Sequence, residues 1–331
     1  MPPLPAPMAG LRFRSYAGDP DLAHFTAVYN AARFADGLSG TETVEEFTNR
    51  YHHLTNCDLD RDLVVTETGD GRVVGYSRAT WWVEEATRDR NLFWLIYLLP
   101  EARLPGVEAS LLSWLESRLL EIAAERPHEG KSYFVTDLEQ GQEGRAAVLS
   151  AAGYRQDQAY AEMIRPLSDP IPDLPLPEGV EVRRTTADDI RAVWEADDRA
   201  FRDHHGYSPQ TEDDYLEFLN STRTDPSLWM VAFAGDSIVG QVLNYVNPED
   251  NAAHGRRWGW TESISVQREW RRRGIAQALI ARSMAMWRDL GYEHAALGVH
   301  TTNPNGAFPL YEGLGYRVTR IDWTMRKDLP A

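Results

Sequence analysis

The stretch REWRRRGIAQALIARS, residues 268–283, sets three consecutive arginines and a glycine directly before an amphipathic helical pattern. Upstream, WTESISVQ (260–267) alternates β-branched with small polar residues, the pattern of a strand. Downstream, Leu279, Ile280, Met284, Trp287 and Leu290 recur at helical spacing, and Gly291 suits the residue that closes such a helix. The arginine–glycine segment is therefore a connector at a strand-to-helix junction. There the first helical turn offers unpaired N–H groups and a partial positive charge. Gly274 and Ala276 leave the backbone open to close approach, and Arg271, Arg272 and Arg273 can add charge-assisted contacts. The plain alternative is a solvated basic cluster that decorates a helix start. The strand before it and the Gly-x-Ala after it favour a phosphate cradle. The spacing is neither that of a Walker A loop nor that of a dinucleotide-binding Gly-x-Gly-x-x-Gly turn.

Outward from this stretch the chain repeats itself. PLSDPIPDLPLPEG (166–179) holds five prolines and no helix or sheet period, so it is expected to be a semi-rigid connector. On either side the same succession appears: a short strand (11–16, 180–184), an Asp-rich turn, a helix and a hairpin with a Gly-Asp turn. An Arg-x-x-Gly element and a long helix follow, with Arg103 and Gly106 in the places of Arg271 and Gly274. Both halves end on Gly-Tyr and a strand, at Gly153-Tyr154 and Gly315-Tyr316. A repeat this long means duplicated domains, because solenoid repeats run about 20–50 residues. The expected organisation is a tail at 1–10, a domain at 11–165, the linker at 166–179 and a second domain at 180–331. Strands mixed with helices in each half make the class α+β, a mostly antiparallel mixed sheet flanked by helices.

The rest of the composition narrows the function. A chain of 331 residues with 43% hydrophobic residues has material for two cores. A formal charge of −16 argues against a general nucleic-acid partner, which needs a basic surface. One cysteine, Cys57, precludes an intrachain disulfide and a cysteine metal cluster, and no histidine spacing suggests a metal site. The proline-broken N-terminus lacks a signal-peptide pattern, and the longest apolar run (92–99) is too short to span a bilayer and suits a buried strand. A cytoplasmic location is expected, without a membrane partner. Oligomeric state is not legible.

Arg-x-x-Gly-x-Ala after such a strand resembles the acetyl-CoA pyrophosphate loop of the GNAT superfamily of N-acetyltransferases. AALGVHTTNPNGAFPLYEGLGYR (295–317) continues the resemblance, with strand, Asn-Pro, helix, Leu-Tyr-Glu and Leu-Gly-Tyr in the order of that family's C-terminal motif. Together the motifs cover most of residues 180–327. The tandem arrangement resembles GNAT proteins of the mycothiol-synthase type, a likeness of architecture that does not carry the substrate over.

The resemblance implies acetyl-CoA as acyl donor, coenzyme A as product and a small-molecule primary amine as acceptor, attacking directly in a ternary complex. It implies backbone contacts to the pantetheine arm from Ile264, Ser265 and Val266, and an oxyanion-stabilising N–H in that strand. The pyrophosphate would rest on Arg271, Arg272, Arg273, Gly274, Ile275, Ala276 and Gln277. Tyr311 matches the family tyrosine that protonates the departing sulfur, or it is a core tyrosine. Asn303 matches a pantetheine contact, or either it or Asn305 caps a helix. Glu262 is the first candidate for general base, or a carboxylate at a strand end; a bulge would decide which face it takes. Asp203, His204 and His205 lie where the family places substrate loops, or they form an exposed loop.

The first half departs from this pattern. Glu108 stands where the second half has Ala276, Pro105 removes an N–H, and Leu149 stands near the place of Tyr311. The first domain is therefore expected to be a scaffold without acetyl-CoA chemistry. The rival to an enzyme is an acyl-CoA-binding regulatory module without turnover.

Overall fold

The alternation of β-rich runs with helical stripes is realised as one succession of elements, built twice. The computed structural model describes residues 2–204, 206–301 and 306–330. In the first repeat the order is β1 (Leu11–Arg14), α1 (Pro20–Ala35), α2 (Val44–His52), α3 (Leu59–Asp62), β2 (Leu63–Thr68), β3 (Val73–Val83), β4 (Arg90–Leu98), α4 (Val107–Glu125), β5 (Ser132–Leu138), α5 (Glu143–Ala151) and β6 (Arg155–Pro166). The second runs β7 (Val180–Arg183), α6 (Ile190–Phe201), α7 (Glu212–Asn220), β8 (Met230–Ala234), β9 (Ser237–Tyr245), α8 (Pro248–Ala253), β10 (Trp258–Val266), α9 (Ile275–Asp289), β11 (His294–His300), α10 (Ala307–Gly313) and β12 (Arg317–Asp328).

Two units result, one of Met1–Gln158 with Asp322–Ala331 and one of Ala159–Ile321. In the first, β1 to β4 pair antiparallel in chain order, β4 and β5 run parallel, and Trp323–Asp328 of β12 lies antiparallel to β5. In the second, β7 to β10 are antiparallel, β10 and β11 are parallel, and Tyr160–Pro166 of β6 is antiparallel to β11. Each unit thus ends on a strand carried by the other sequence repeat. The divisions fall after Gln158 and Ile321, whereas the sequence reading placed them at the proline stretch.

That stretch is a strap on the second unit. Leu167 is buried, and Ile171, Leu174 and Leu176 pack against the core of this unit. Its carbonyls are held by arginines: Arg165 Nη2 donates to Pro170 O at 2.7 Å and Arg282 Nη1 to Leu174 O at 3.0 Å. A proline-rich segment has few donors of its own, so its acceptors need outside partners.

The core of the second unit lies on both faces of its sheet. Ile275, Leu279, Ile280, Met284 and Trp287 of α9 pack with Val239, Val242, Ala295 and Leu297 on one face. Ile190 and Val193 of α6 pack with Val231 and Leu243 on the other. Burying one such Leu or Ile is worth roughly 1.5–3 kcal/mol. Leu290, expected in the α9 stripe, is instead 54% exposed. It caps the helix, and Gly291 at φ +83° turns the chain away.

Candidate active site

Strand β10 carries one extra residue against its neighbour. Glu262 pairs with Leu243 and Ser265 with Gln241, so three steps on β10 oppose two on β9. Ser263 absorbs the mismatch with φ +44°, in the left-handed region. The bulge changes the phase of the strand. Ile264 and Val266 turn to the α9 core, whereas Ser265 shares the α6 face with Glu262, as their partners Gln241 and Leu243 show. Simple alternation would have put Glu262 with Ile264 and Val266; the extra residue prevents this.

Beside the bulge β10 leaves β11. Their parallel pairing runs from Trp258–His294 to Trp260–Ala296. Beyond it the Gly298 N–H donates to Glu262 Oε1 at 2.9 Å, a side-chain substitute for a ladder bond. Burial pushes the Glu262 carboxyl up to about 8; the Glu162 charge adds to this and the Gly298 N–H opposes it. A Cβ at residue 298 would lie 2.1 Å from the Tyr160 hydroxyl, so any larger residue there would have to displace this half-exposed ring. Tyr311, on α10, is buried at 6% exposure with its ring edge-on to Tyr316. Burial, then the charge of Glu262, raises the Tyr311 phenol above its ordinary value, so it stays protonated at neutral pH.

The helix that follows β10 is α9. It begins at Gly274 with no side-chain cap, as α4 of the first unit begins at Gly106, whereas Thr43, Thr211 and Asn247 cap α2, α7 and α8 through their side chains. Gly274 at φ +84° and Arg272 at φ +60° are both left-handed, a turn that presents successive N–H groups to one side. Ile275 is buried beneath the turn and Ala276 is half-buried, while Arg272, Arg273, Gly274 and Gln277 are exposed. The Arg273 guanidinium lies 4.7 Å from the centroid of the Trp270 ring.

Arg271 is held within the unit. Its Nε donates to Val266 O at 3.1 Å, its Nη2 to Ala200 O at 2.9 Å, and Nη1 and Nη2 both pair with Asp203. Asp203, read as a substrate contact, is the counter-ion of this arginine and is held below the usual carboxylate range by it. Arg103 makes the same set of bonds in the first unit, to Leu98 O, Ala32 O and Asp36. The same bonds occur in both repeats, where they tie the end of β4 to α1 and the end of β10 to α6. Arg271→Ala is therefore expected to lower Tm by about 3–6 °C, for loss of roughly 1–2 kcal/mol of hydrogen bonding. Calorimetry should find acetyl-CoA affinity changed by less than about threefold; a larger loss would return Arg271 to the phosphates.

His204 is half-buried, its ring 5.4 Å from Phe201 and 5.5 Å from His300. His205 and Asn303 lie outside the described residues. Sequence reasoning missed Asp197. This α6 aspartate accepts from Gln241 Nε2 at 3.0 Å and Ser265 Oγ at 2.9 Å, and burial pushes its carboxyl up to about 7. It also borders a cavity of about 280 Å³. The one local signal is its place beside the apolar Val193–Ala196–Ala200 stripe.

The first unit shows the same frame with other residues at these places. β3 and β4 pair from Gly75–Leu98 to Val83–Arg90 without a register shift, so there is no bulge. By register Leu95, which pairs with Arg78 as Glu262 pairs with Leu243, stands in the place of Glu262 and packs against the α1 side of the sheet. Leu149 replaces Tyr311: its carbonyl accepts from Tyr154 N at 3.0 Å, as that of Tyr311 accepts from Tyr316 N at 3.0 Å. Glu108, in the first turn of α4, sits 3.7 Å from Arg145 at the edge of a cavity of about 410 Å³.

Known proteins share this arrangement. The model of the acetyltransferase (GNAT) family matches residues 190–316. A mycothiol acetyltransferase of Salinispora tropica is 33% identical over 90% of this chain and 90% of its own. That of Geodermatophilus obscurus is 28% identical over 92% and 94%. Among solved structures, a GCN5-related N-acetyltransferase from Sphaerobacter thermophilus has a TM-score of 0.69 at 26% identity, covering 97% of this chain and 96% of that one. A tandem GNAT protein from the clavulanic acid biosynthesis pathway shares the fold, with a TM-score of 0.67 at 15% identity over 97% and 99%. With its duplicated α+β units and a whole-length relative at this identity, the chain belongs to the GNAT family of N-acetyltransferases, in its tandem form.

Proposed function

We propose that the second unit transfers the acetyl group of acetyl-CoA to the primary amine of a small molecule, in a ternary complex, and that the first unit takes no part in the chemistry. The observation that carries this is the contrast within one chain. The bulge, Glu262, Tyr311 and the small residue at 276 occur together in the second unit, and each has an inert counterpart in the first.

The residues fit the donor. The uncapped start of α9, with left-handed Arg272 and Gly274 and the small Ala276, suits a pyrophosphate. Arg272 and Arg273, exposed at this turn, are the arginines that meet its charge. Acetyl-CoA supplies an activated acyl carbon when bound in the gap between β10 and β11. Glu262, directly or through water, removes the proton of the attacking amine, for which it must be ionised. An N–H at the bulge stabilises the developing oxyanion. Tyr311, kept protonated, gives its proton to the departing thiolate. Asn303 is proposed as a pantetheine contact and the 204–205 histidines as acceptor contacts.

The test is release of free coenzyme A thiol on mixing the protein with acetyl-CoA and a panel of primary amines. Tyr311→Phe is expected to lower kcat by about 10²-fold while acetyl-CoA affinity stays within about twofold. Equal turnover in the variant would remove Tyr311 from the reaction. Donor binding without transfer to any amine would leave a binding module.

A further inference from the structure

The 280 Å³ cavity beside α6 has aromatic walls, Trp194, Phe201 and Tyr207, and a carboxylate that pairs with no arginine or lysine among the described residues. That carboxylate is Asp197, whose bonds come from neutral donors on β9 and β10. The neighbouring charges are already matched. Asp198 accepts from Tyr207 Oη at 2.7 Å and pairs with Arg202, and Arg191 pairs with Glu195 and Glu212. An aspartate offered to a cavity with aromatic walls suits a positively charged guest, through charge-assisted hydrogen bonding and the ring faces.

We infer that this cavity binds a second cationic group of the acceptor, distinct from the amine that is acetylated, and so selects diamine-like substrates. The inference rests on the acetyl-transfer reading and names its substrate class. The reacting nitrogen must lose a proton to become a nucleophile, and a carboxylate that holds an ammonium charged would oppose this. Asp197 therefore suits the nitrogen that does not react. Through Ser265 it is tied to β10 on the same sheet face as Glu262, so the two carboxyls lie on one side of the sheet, where a guest with two nitrogens can address both.

Calorimetric titration of 1,4-diaminobutane and of n-butylamine into the full chain at pH 8, where the Asp197 carboxyl is mostly ionised, tests this in wild type and in Asp197→Asn. Asparagine retains an oxygen that can accept from Ser265 and Gln241, so the clasp on the bulge survives while the charge is lost. Wild type should bind the diamine more tightly than butylamine by about tenfold or more, and the substitution should cut that ratio by about tenfold. No preference in wild type, or an equal loss for both amines, overturns the inference; the second result would make Asp197 a positioning residue of the bulge. The readout is binding, so it stands apart from acetyl transfer. A diamine bound through Asp197 but never acetylated would sink the proposed function and leave the cation pocket in place.

Discussion

Glu262→Gln is expected to lower kcat/KM for amine acetylation by about 10²–10⁴-fold, the usual worth of a general base, with acetyl-CoA affinity nearly unchanged. Glutamine keeps the shape and can still accept from the Gly298 N–H, so the gap between β10 and β11 is preserved. Only the proton acceptor is lost. Steady-state kinetics with the amine varied, together with a separate donor titration, would check this. A variant that loses donor affinity in step with turnover would mean that Glu262 shapes the cleft and does not act on the amine.

The pH dependence follows from the raised carboxyl. Burial holds Glu262 protonated up to about pH 8, and a base works only when ionised, so wild-type activity should rise through a limb centred near 8. That limb should be absent from the residual activity of the glutamine variant. Stability moves the other way. The folded value lies above the unfolded one of about 4.3, so the fold binds the proton more tightly. The stabilisation by this group is complete below the unfolded value and is lost as pH rises towards 8. Relative to wild type, Glu262→Gln should therefore gain in Tm between about pH 5 and 8.

Local patterns made much of this legible. The duplicated Arg-x-x-Gly elements, the α9 stripe and the proline segment are statements about neighbours in sequence, and the structure contains all three. The strand exchange was hidden because the pairing of β6 with β11 joins residues 128 to 140 positions apart, and nothing in Tyr160–Pro166 names its partner. The bulge was hidden for a different reason: its left-handed residue is Ser263, without the glycine that usually marks such a turn. Arg271 was identified by type but not by partner. Three adjacent arginines look alike in sequence, and only the folded α6 decides which one is neutralised by Asp203. Asp197 carries no motif in the sequence, and its partners on β9 and β10 meet it only in the fold.

Ala276→Glu should abolish measurable acetyl-CoA binding, a loss of at least about 10²-fold, without unfolding the protein. The substitution copies the first unit, where Glu108 occupies the same second position of a helix that also starts at a left-handed glycine. A carboxylate in a first helical turn is favourable to the helix by about 0.3–1 kcal/mol, so Tm should hold or rise slightly. Glu108 lies near Arg145, but the corresponding position in α10 is Ala307, so the introduced carboxylate would lack that counter-ion and face a pyrophosphate directly. Like charge brought into one cradle costs several kcal/mol. Gly274→Glu would confound the result, because Gly274 sits at φ +84° and any side chain there strains the backbone as well. In calorimetric titration, wild type should bind one acetyl-CoA per chain and the variant none. Two wild-type sites would show that the cleft of the first unit still takes the cofactor despite Glu108. Wild-type affinity in Ala276→Glu would mean that the pyrophosphate is held elsewhere, and that the start of α9 is only the beginning of a helix.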